Sequence, residues 1–257
     1  MNYKKTVLFV LTACFIAACS SVPMTGRSQL LLVSEAEEAS LGLQAYRQTL
    51  SKARISTDSG TTGMVTRIGQ RIAAVANRPD YRWEFTVIDE GKTANAFALP
   101  GGKVAVYTGL LPYTQTEDGL AFVVAHEIGH VIARHGGERM SQQLLLQYGQ
   151  AGLNAALQGS ASASTLETVN TVYGVGSALG VLLPYSRAHE YEADEIGLML
   201  MAKAGYDPRQ APNFFKRMLA ERKGGKTPMF LSTHPADDAR IQKINQLIPK
   251  AMTYYRR

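Results

Sequence analysis

The stretch FVVAHEIGHVIARH, residues 122–135, places two histidines and a glutamate in an otherwise apolar segment. Residues four apart lie on one face of a helix, so His126 and His130 point the same way, one turn apart. Two neutral imidazoles at that separation can share one zinc ion, with bonds of about 2.0–2.1 Å. Glu127 lies on the rim of this face, where it can take a proton from a water molecule that the metal activates. A helix with two buried structural histidines is the alternative.

A catalytic zinc ion needs a third protein ligand and an open position for water. In one class of zinc protease, the third ligand is a histidine six residues after the second, beyond an intervening glycine. Here these positions hold Gly136 and Ala133, which excludes that class. His135 is one residue off and would point around a continuous helix, so we predict a packing or surface role for it.

The other class takes a glutamate from a later helix, and the segment SRAHEYEAD offers one. Glu190 and Asp194 are four apart and share a helical face. We predict that Glu190 completes the ligand set for one zinc ion per chain. Asp194 would accept a hydrogen bond from the outer nitrogen of a ligating histidine, with His126 as the first choice. Glu192 faces elsewhere and ranks below Glu190, and His189 is expected at the surface.

Hydrophobic periodicity and turn residues predict a mainly helical chain with a few strands. Helices are expected in residues 34–53, 61–76, 117–135, 187–205, 207–223 and 234–248, one strand in 83–89, and two strands around a PGG turn in 95–111. Residues 150–183 are rich in small residues and fit either loose helices or a mobile flap. We therefore treat 136–185 as a candidate lid over the site, with a buried helix as the alternative.

The chain begins with a pattern typical of an export signal. MNYKK is basic, and the following run of thirteen apolar residues is too short to span a bilayer. This run ends in IAAC, which resembles the lipobox of bacterial lipoproteins and predicts acylation of Cys19. The predicted organisation is a signal peptide in 1–18, an acylated tether in 19–33 and a zinc protease domain in 34–257. A plain secretory signal is the alternative.

Composition and charge limit the classes of molecule that the protein is expected to bind. The 257 residues are 46% hydrophobic and 19% charged, which fits one or two globular domains. Loss of Lys4 and Lys5 with the leader lowers the formal net charge from +6 to about +4. The charges are scattered, so nucleic acid is not expected as a partner.

Three segments together resemble a known family. HEIGH followed by SRAHEYEAD is similar to the gluzincin family of membrane-associated zinc endopeptidases, which includes the CAAX prenyl proteases and the HtpX, LoiP, BepA and Oma proteases. The family pattern S-R-x-x-E-x-x-A-D is matched by Ser186, Arg187, Glu190, Ala193 and Asp194. NAFALPGG and STHPADDARI resemble two further family segments. The resemblance covers residues 34–247. The printed residues show no transmembrane helices like those of HtpX and no obvious helical-repeat extension like that of BepA, so we expect the LoiP-like single-domain lipoproteins to be the nearer comparison.

The resemblance implies an α+β, mainly α, minigluzincin-type domain, with a small sheet beside the active-site helix and a helical C-terminal part. It implies that Glu127 is the general base and that His234 stabilises the oxyanion. Polypeptide substrates would lie extended along an edge strand formed by Asn95, Ala96, Phe97 and Ala98.

The function implied is that of a Gram-negative lipoprotein of the outer membrane, facing the periplasm, that degrades misfolded or stalled envelope proteins. A chaperone or assembly factor that acts mainly by binding is the first alternative. A purely structural zinc protein is the second, but only three good ligands were found for it. The sequence allows an oligomer.

Overall fold

The computed structural model describes residues 19–157 and 186–256. The predicted leader, 1–18, and residues 158–185 of the candidate lid lie outside this part of the chain. The strands are β1 (Cys19–Ser21), β2 (Ser28–Leu30), β3 (Glu84–Ile88), β4 (Ala96–Leu99) and β5 (Lys103–Tyr107). The α-helices are α1 (Glu35–Leu50), α2 (Ser59–Val75), α3 (Leu111–Thr114), α4 (Glu117–Ile132), α5 (His135–Leu157), α6 (Arg187–Lys203), α7 (Ala211–Lys223), α8 (Met229–Thr233) and α9 (Asp238–Met252). Short 3₁₀ turns lie at Thr108–Leu110 and Pro208–Gln210. The predicted class, α+β and mainly α, is confirmed.

The described residues form two compact units, one of residues 19–35 and 136–157 and one of residues 36–135 and 186–256. In the first unit, β1 and β2 pair antiparallel. Arg27 binds both carboxylate oxygens of Glu138, at 3.0 and 2.6 Å. The backbone N–H of Leu32 donates to Ser141 Oγ at 2.7 Å. Part of the segment predicted as a tether is therefore a hairpin attached to α5.

Helix α4 forms the centre of the second unit. Thr116 caps its start, because its hydroxyl oxygen accepts from the N–H of Gly119 at 3.0 Å. Every residue from 119 to 132 is buried, as expected for a helix that is apolar on all sides. The helix ends because Arg134 adopts a left-handed backbone, with φ of +55°. The prediction of one helix over 117–135 is therefore wrong at its end, and His135 starts a new helix.

The larger sheet lies against α4. Its strand order is β3-β5-β4, with β3 parallel and β4 antiparallel to β5. The two strands predicted around the PGG turn are β4 and β5. Since β5 is central, β4 is left as an edge strand, and it contacts α4.

The remaining described elements complete the helical part. The predicted helices near 34–53, 61–76, 187–205, 207–223 and 234–248 correspond to α1, α2, α6, α7 and α9. The short helix α8 and the hairpin of β1 and β2 were not predicted. Within residues 19–157 and 186–256, each helix is too short or too polar to cross a bilayer.

Candidate active site

Helix α4 presents His126 and His130 side by side. Their Nε2 atoms are 3.1 Å apart, and both rings are buried. The spacing of one helical turn, read from the sequence, thus produces two converging nitrogen donors.

Helix α6 brings Glu190 to the two histidines. One oxygen of its carboxylate lies 3.5 Å from His126 Nε2, and the other lies 3.4 Å from His130 Nε2. The helices approach closely because glycines lie where they cross. A Cβ on Gly129 would be 2.9 Å from the carbonyl oxygen of Ala193, and one on Gly197 would be 2.9 Å from the backbone nitrogen of His126.

His234, at the end of α8, supplies a fourth donor atom. Its Nδ1 lies 3.3 Å from His126 Nε2 and 3.1 Å from Glu190 Oε1. The sequence suggested three ligand candidates and a different role for His234, and the fold brings this residue of the C-terminal part among the donor atoms. In this arrangement His234 faces the donor group, rather than leaving one corner open to solvent.

These four groups fit a single metal ion. Their ligand atoms all lie within 4.8 Å of one another, and all four residues are buried. Donors about 2.0–2.1 Å from a tetrahedral ion are separated by about 3.3–3.4 Å. The separations among His126, His130 and Glu190, from 3.1 to 3.5 Å, are close to that value.

Asp194 lies behind the first histidine. Its Oδ1 is 2.9 Å from His126 Nδ1, which is the geometry expected of an outer carboxylate that orients a ligand. In the protein without metal, burial lowers the pKa of His126, but the contacts and negative charges of Asp194 and Glu190 together outweigh burial and raise that pKa to about 9. For His130, burial dominates and holds its pKa well below the ordinary value.

Arg240 was missed in the sequence and is central to the electrostatics. Its guanidinium is 1% exposed, binds both oxygens of Asp194 at 2.7 and 2.8 Å, and lies 2.5 Å from Glu190 Oε2. Burial alone would raise the pKa of each carboxyl, but Arg240 and the neighbouring histidines together outweigh it and keep both pKa values below their ordinary range, with the charge of Arg240 as the largest lowering contribution. Both carboxylates are therefore ionised. In the sequence, the one indication of a role for Arg240 was its position in the family segment STHPADDARI.

Glu127 lies beside the donor group and is itself buried. Its Oε1 is 3.2 Å from His234 Nε2. Burial raises the pKa of Glu127, and the charges of His234 and His126 offset this only in part. A carboxylate in this position is a better proton acceptor near neutral pH than an exposed glutamate.

Three residues outside the predicted ligand set are buried: His135, His189 and Glu192. His135 is 0% exposed, and its Nδ1 lies 2.8 Å from His130 Nδ1. Its Nε2 lies 2.9 Å from Glu192 Oε2, and its ring stacks on His189 with centroids 4.3 Å apart. The expected surface position of His189 is wrong. Glu192 does face away from the donor group, but toward His135 rather than solvent. The cause is the turn at Arg134, which folds His135 back toward His130.

The predicted substrate residues Asn95, Ala96, Phe97 and Ala98 lie on or next to β4. The N–H of Tyr107 donates to the carbonyl of Asn95 at 3.0 Å, so the alternation of antiparallel pairing leaves the backbone groups of Ala96 and Ala98 pointing away from β5. A hydrogen bond from the Ala98 backbone reaches Glu127. The side chain of Phe97 packs instead against the cluster of Tyr46, Ile88 and Ala105.

Comparison with known proteins identifies the family. Residues 59–248 match the profile described as Peptidase family M48. The chain belongs to peptidase family M48. This confirms the resemblance seen in HEIGH and SRAHEYEAD.

Several curated relatives extend over most of the chain. It is 39% identical to the mitochondrial metalloendopeptidase OMA1 of Schizosaccharomyces pombe, over 90% of this chain and 66% of that protein. The OMA1 of Saccharomyces cerevisiae is 33% identical, over 91% of this chain and 70% of that protein. The beta-barrel assembly-enhancing protease of Escherichia coli K12 is 29% identical, over 91% of this chain but only 49% of that protein. The chain thus spans between half and about two thirds of these relatives.

Proposed function

We propose that this M48 protein is a zinc-dependent endopeptidase whose metal is held by His126, His130 and Glu190. The observation that carries the proposal is the convergence of their donor atoms at 3.1–3.5 Å, directly beside Glu127. Two imidazoles and one carboxylate are the ligand set of hydrolytic zinc sites. Hydrolysis needs no redox-active metal, which favours zinc over iron or copper at this site.

The chain's own residues divide the proton transfers. A zinc ion held here would acidify water and polarise the scissile carbonyl. Glu127 accepts the proton from the attacking water and returns it to the nitrogen of the leaving amine. Asp194 keeps the His126 ring oriented, and Arg240 keeps Asp194 and Glu190 ionised.

His234 lies among the metal donors, although the role proposed for it is to stabilise the oxyanion. A developing oxyanion requires a hydrogen-bond donor, which is the role proposed for His234 during the reaction. With Nδ1 among the metal donors, 3.3 Å from His126 Nε2, the ring is not yet in that role. We propose that it turns out of the donor group when substrate enters.

The edge of β4 is the proposed substrate site. Ala96 and Ala98 turn backbone donors and acceptors toward the side where no strand of the described residues pairs. A polypeptide added there would be recognised by its main chain, so selectivity for sequence should be weak. The contact between the Ala98 backbone and Glu127 supports this proposal, because it links the edge to the proposed proton acceptor.

The evidence for a cellular role comes from the N-terminal leader sequence and not from the fold. We propose a lipoprotein acylated at Cys19, on the periplasmic side of the outer membrane, that removes misfolded or stalled envelope proteins. The basic start, the short apolar run and IAAC support this placement. The relative in Escherichia coli is named for β-barrel assembly, whereas the two OMA1 relatives are named as mitochondrial.

The test separates metal binding from proton transfer. Glu127→Gln keeps the size of the side chain but cannot accept a proton, so it should retain one zinc per chain by mass spectrometry while casein cleavage is lost. His130→Ala should lose both zinc and cleavage. Cleavage by Glu127→Gln at the wild-type rate would refute the mechanism. If the same variant fully restored envelope integrity in a deletion strain, the protein would act by binding, as the chaperone alternative states.

A further inference from the structure

A chain of hydrogen bonds runs from the second histidine of HEIGH into the protein, away from the donor group. His130 Nδ1 lies 2.8 Å from His135 Nδ1, and His135 Nε2 lies 2.9 Å from Glu192 Oε2. All three side chains are buried, with relative exposures of 2%, 0% and 6%. Buried polar groups at such distances are costly unless they are mutually satisfied.

The direction of donation in this chain follows from the metal site. If His130 offers the lone pair of Nε2 to a metal, its proton must reside on Nδ1. That N–H then donates to Nδ1 of His135, whose own proton must be on Nε2. The Nε2–H of His135 in turn donates to the Glu192 carboxylate. With both imidazoles neutral and Glu192 ionised, one set of tautomers satisfies all of these contacts, and it is the set that leaves His130 able to bind metal.

The surrounding fold holds this arrangement in place. Arg134, whose left-handed backbone ends α4, binds Glu38 through its guanidinium Nε at 3.0 Å. His135 therefore follows a fixed turn, and its ring is stacked on His189 at an interplanar angle of 24°. Glu192 comes from α6, the helix that also carries Glu190.

We propose that His135 and Glu192 are positioning residues that fix the tautomer and ring orientation of His130 for metal binding. The inference rests on the metal site of the proposed function. It gives the two ligand histidines different supports: His126 is held by Asp194 directly, and His130 is held by a carboxylate through an intervening imidazole. Such outer partners typically change metal affinity about 10- to 100-fold when they are removed.

The experiment compares metal affinity in the full-length protein by competition with a zinc chelator. His135→Leu removes the acceptor for His130 and should weaken zinc binding about 10- to 100-fold. His135→Asn offers an amide oxygen close to the position of Nδ1, and it should recover most of that loss. Glu192→Gln keeps a hydrogen-bond acceptor without the negative charge, so it should lose less zinc affinity than His135→Leu.

The control is Tyr46→Phe, which removes a buried hydroxyl that shares a hydrogen bond with Thr86 Oγ1 at 2.6 Å, in the cluster with Ile88 and Ala105. Its metal-free form should lose thermal stability, as the His135 variants do, but its zinc affinity should remain within twofold of wild type. Cobalt absorption bands give a second readout, because a rotated His130 ring changes the ligand field in His135→Leu and not in Tyr46→Phe.

Two outcomes would overturn the inference: zinc affinity of His135→Leu within twofold of wild type, or equal losses for His135→Leu and His135→Asn. Both are distinct from failure of the proposed function. If the zinc affinities of the wild type and the His135 variants follow the predicted order but the wild type cleaves no polypeptide, only the endopeptidase function is refuted and the positioning role stands. A cleaving wild type with an unaffected His135→Leu variant refutes only the positioning role.

Discussion

The close crossing of α4 and α6 gives the most quantitative prediction, through the variant Gly197→Ala. The added Cβ would lie 2.9 Å from the backbone nitrogen of His126, 3.0 Å from its Cα and 3.1 Å from the carbonyl carbon of Ala125. Ordinary contacts of a Cβ begin at 3.4 Å. Backbone atoms of a buried helix cannot rotate away, so α6 must move by about 0.5 Å relative to α4.

This shift should affect activity more than stability. Alanine gains about 1 kcal/mol over glycine in a helix, and overpacking costs about 1–3 kcal/mol, so the free energy of unfolding should fall by about 0–2 kcal/mol. Glu190 moves with α6 relative to both histidines. Because a misplacement of about 1 Å can cost about 100-fold in rate, kcat/KM should fall roughly tenfold.

The matched control is Gly63→Ala in α2, where no atom lies within 4 Å of the added Cβ. It should raise the free energy of unfolding by up to about 1 kcal/mol without changing kcat/KM. The assays are urea unfolding and cleavage of a quenched fluorescent peptide. If Gly197→Ala behaves like Gly63→Ala in both assays, close helix contact does not set the position of Glu190.

Two further predictions concern the buried charges. Arg240→Leu leaves two buried carboxylates without their cation and should lower the unfolding free energy of the metal-free protein by about 3–5 kcal/mol. Arg187→Leu breaks an exposed ion pair and should leave the unfolding free energy nearly unchanged; equal losses in the two variants would contradict the role of Arg240. Because the pKa of His126 is raised from 6.5 in the unfolded chain to about 9 in the folded one, its protonation stabilises the metal-free protein. This contribution is complete below pH 6.5 and is lost as the pH rises toward 9. Unfolding free energy should therefore fall across this range, and less steeply in Asp194→Asn; parallel pH profiles of the two proteins would be inconsistent with the pairing.

Local patterns predicted the elements that carry the donors. The spacing in HEIGH depends only on the period of one helix, and so does the pairing of Glu190 with Asp194 on another. The PGG turn likewise predicted the strands β4 and β5, because it is a local feature between them. Each of these features lies within a few neighbouring residues, where helical or strand periodicity is informative.

Features that depend on tertiary contact could not be read in this way. A left-handed conformation at Arg134 has no local signal, because arginine does not favour it, so His135 was assigned to the wrong helix. Arg240 pairs with Asp194 across 46 positions, and no periodicity links them. His234 approaches the donors because α8 lies against α4, where the ring of Phe230 is 6.1 Å from that of His126, while α9 packs against α6. The strands β1 and β2, at three residues each, are too short to show alternation.

Anomalous diffraction at the zinc absorption edge, from crystals of the full-length protein, tests the central claim most directly. The account predicts one peak per chain, about 2.0–2.2 Å from His126 Nε2, His130 Nε2 and a carboxylate oxygen of Glu190. A zinc-loaded, active protein whose anomalous peak lies elsewhere, with Glu190 turned away from both imidazoles, would contradict it.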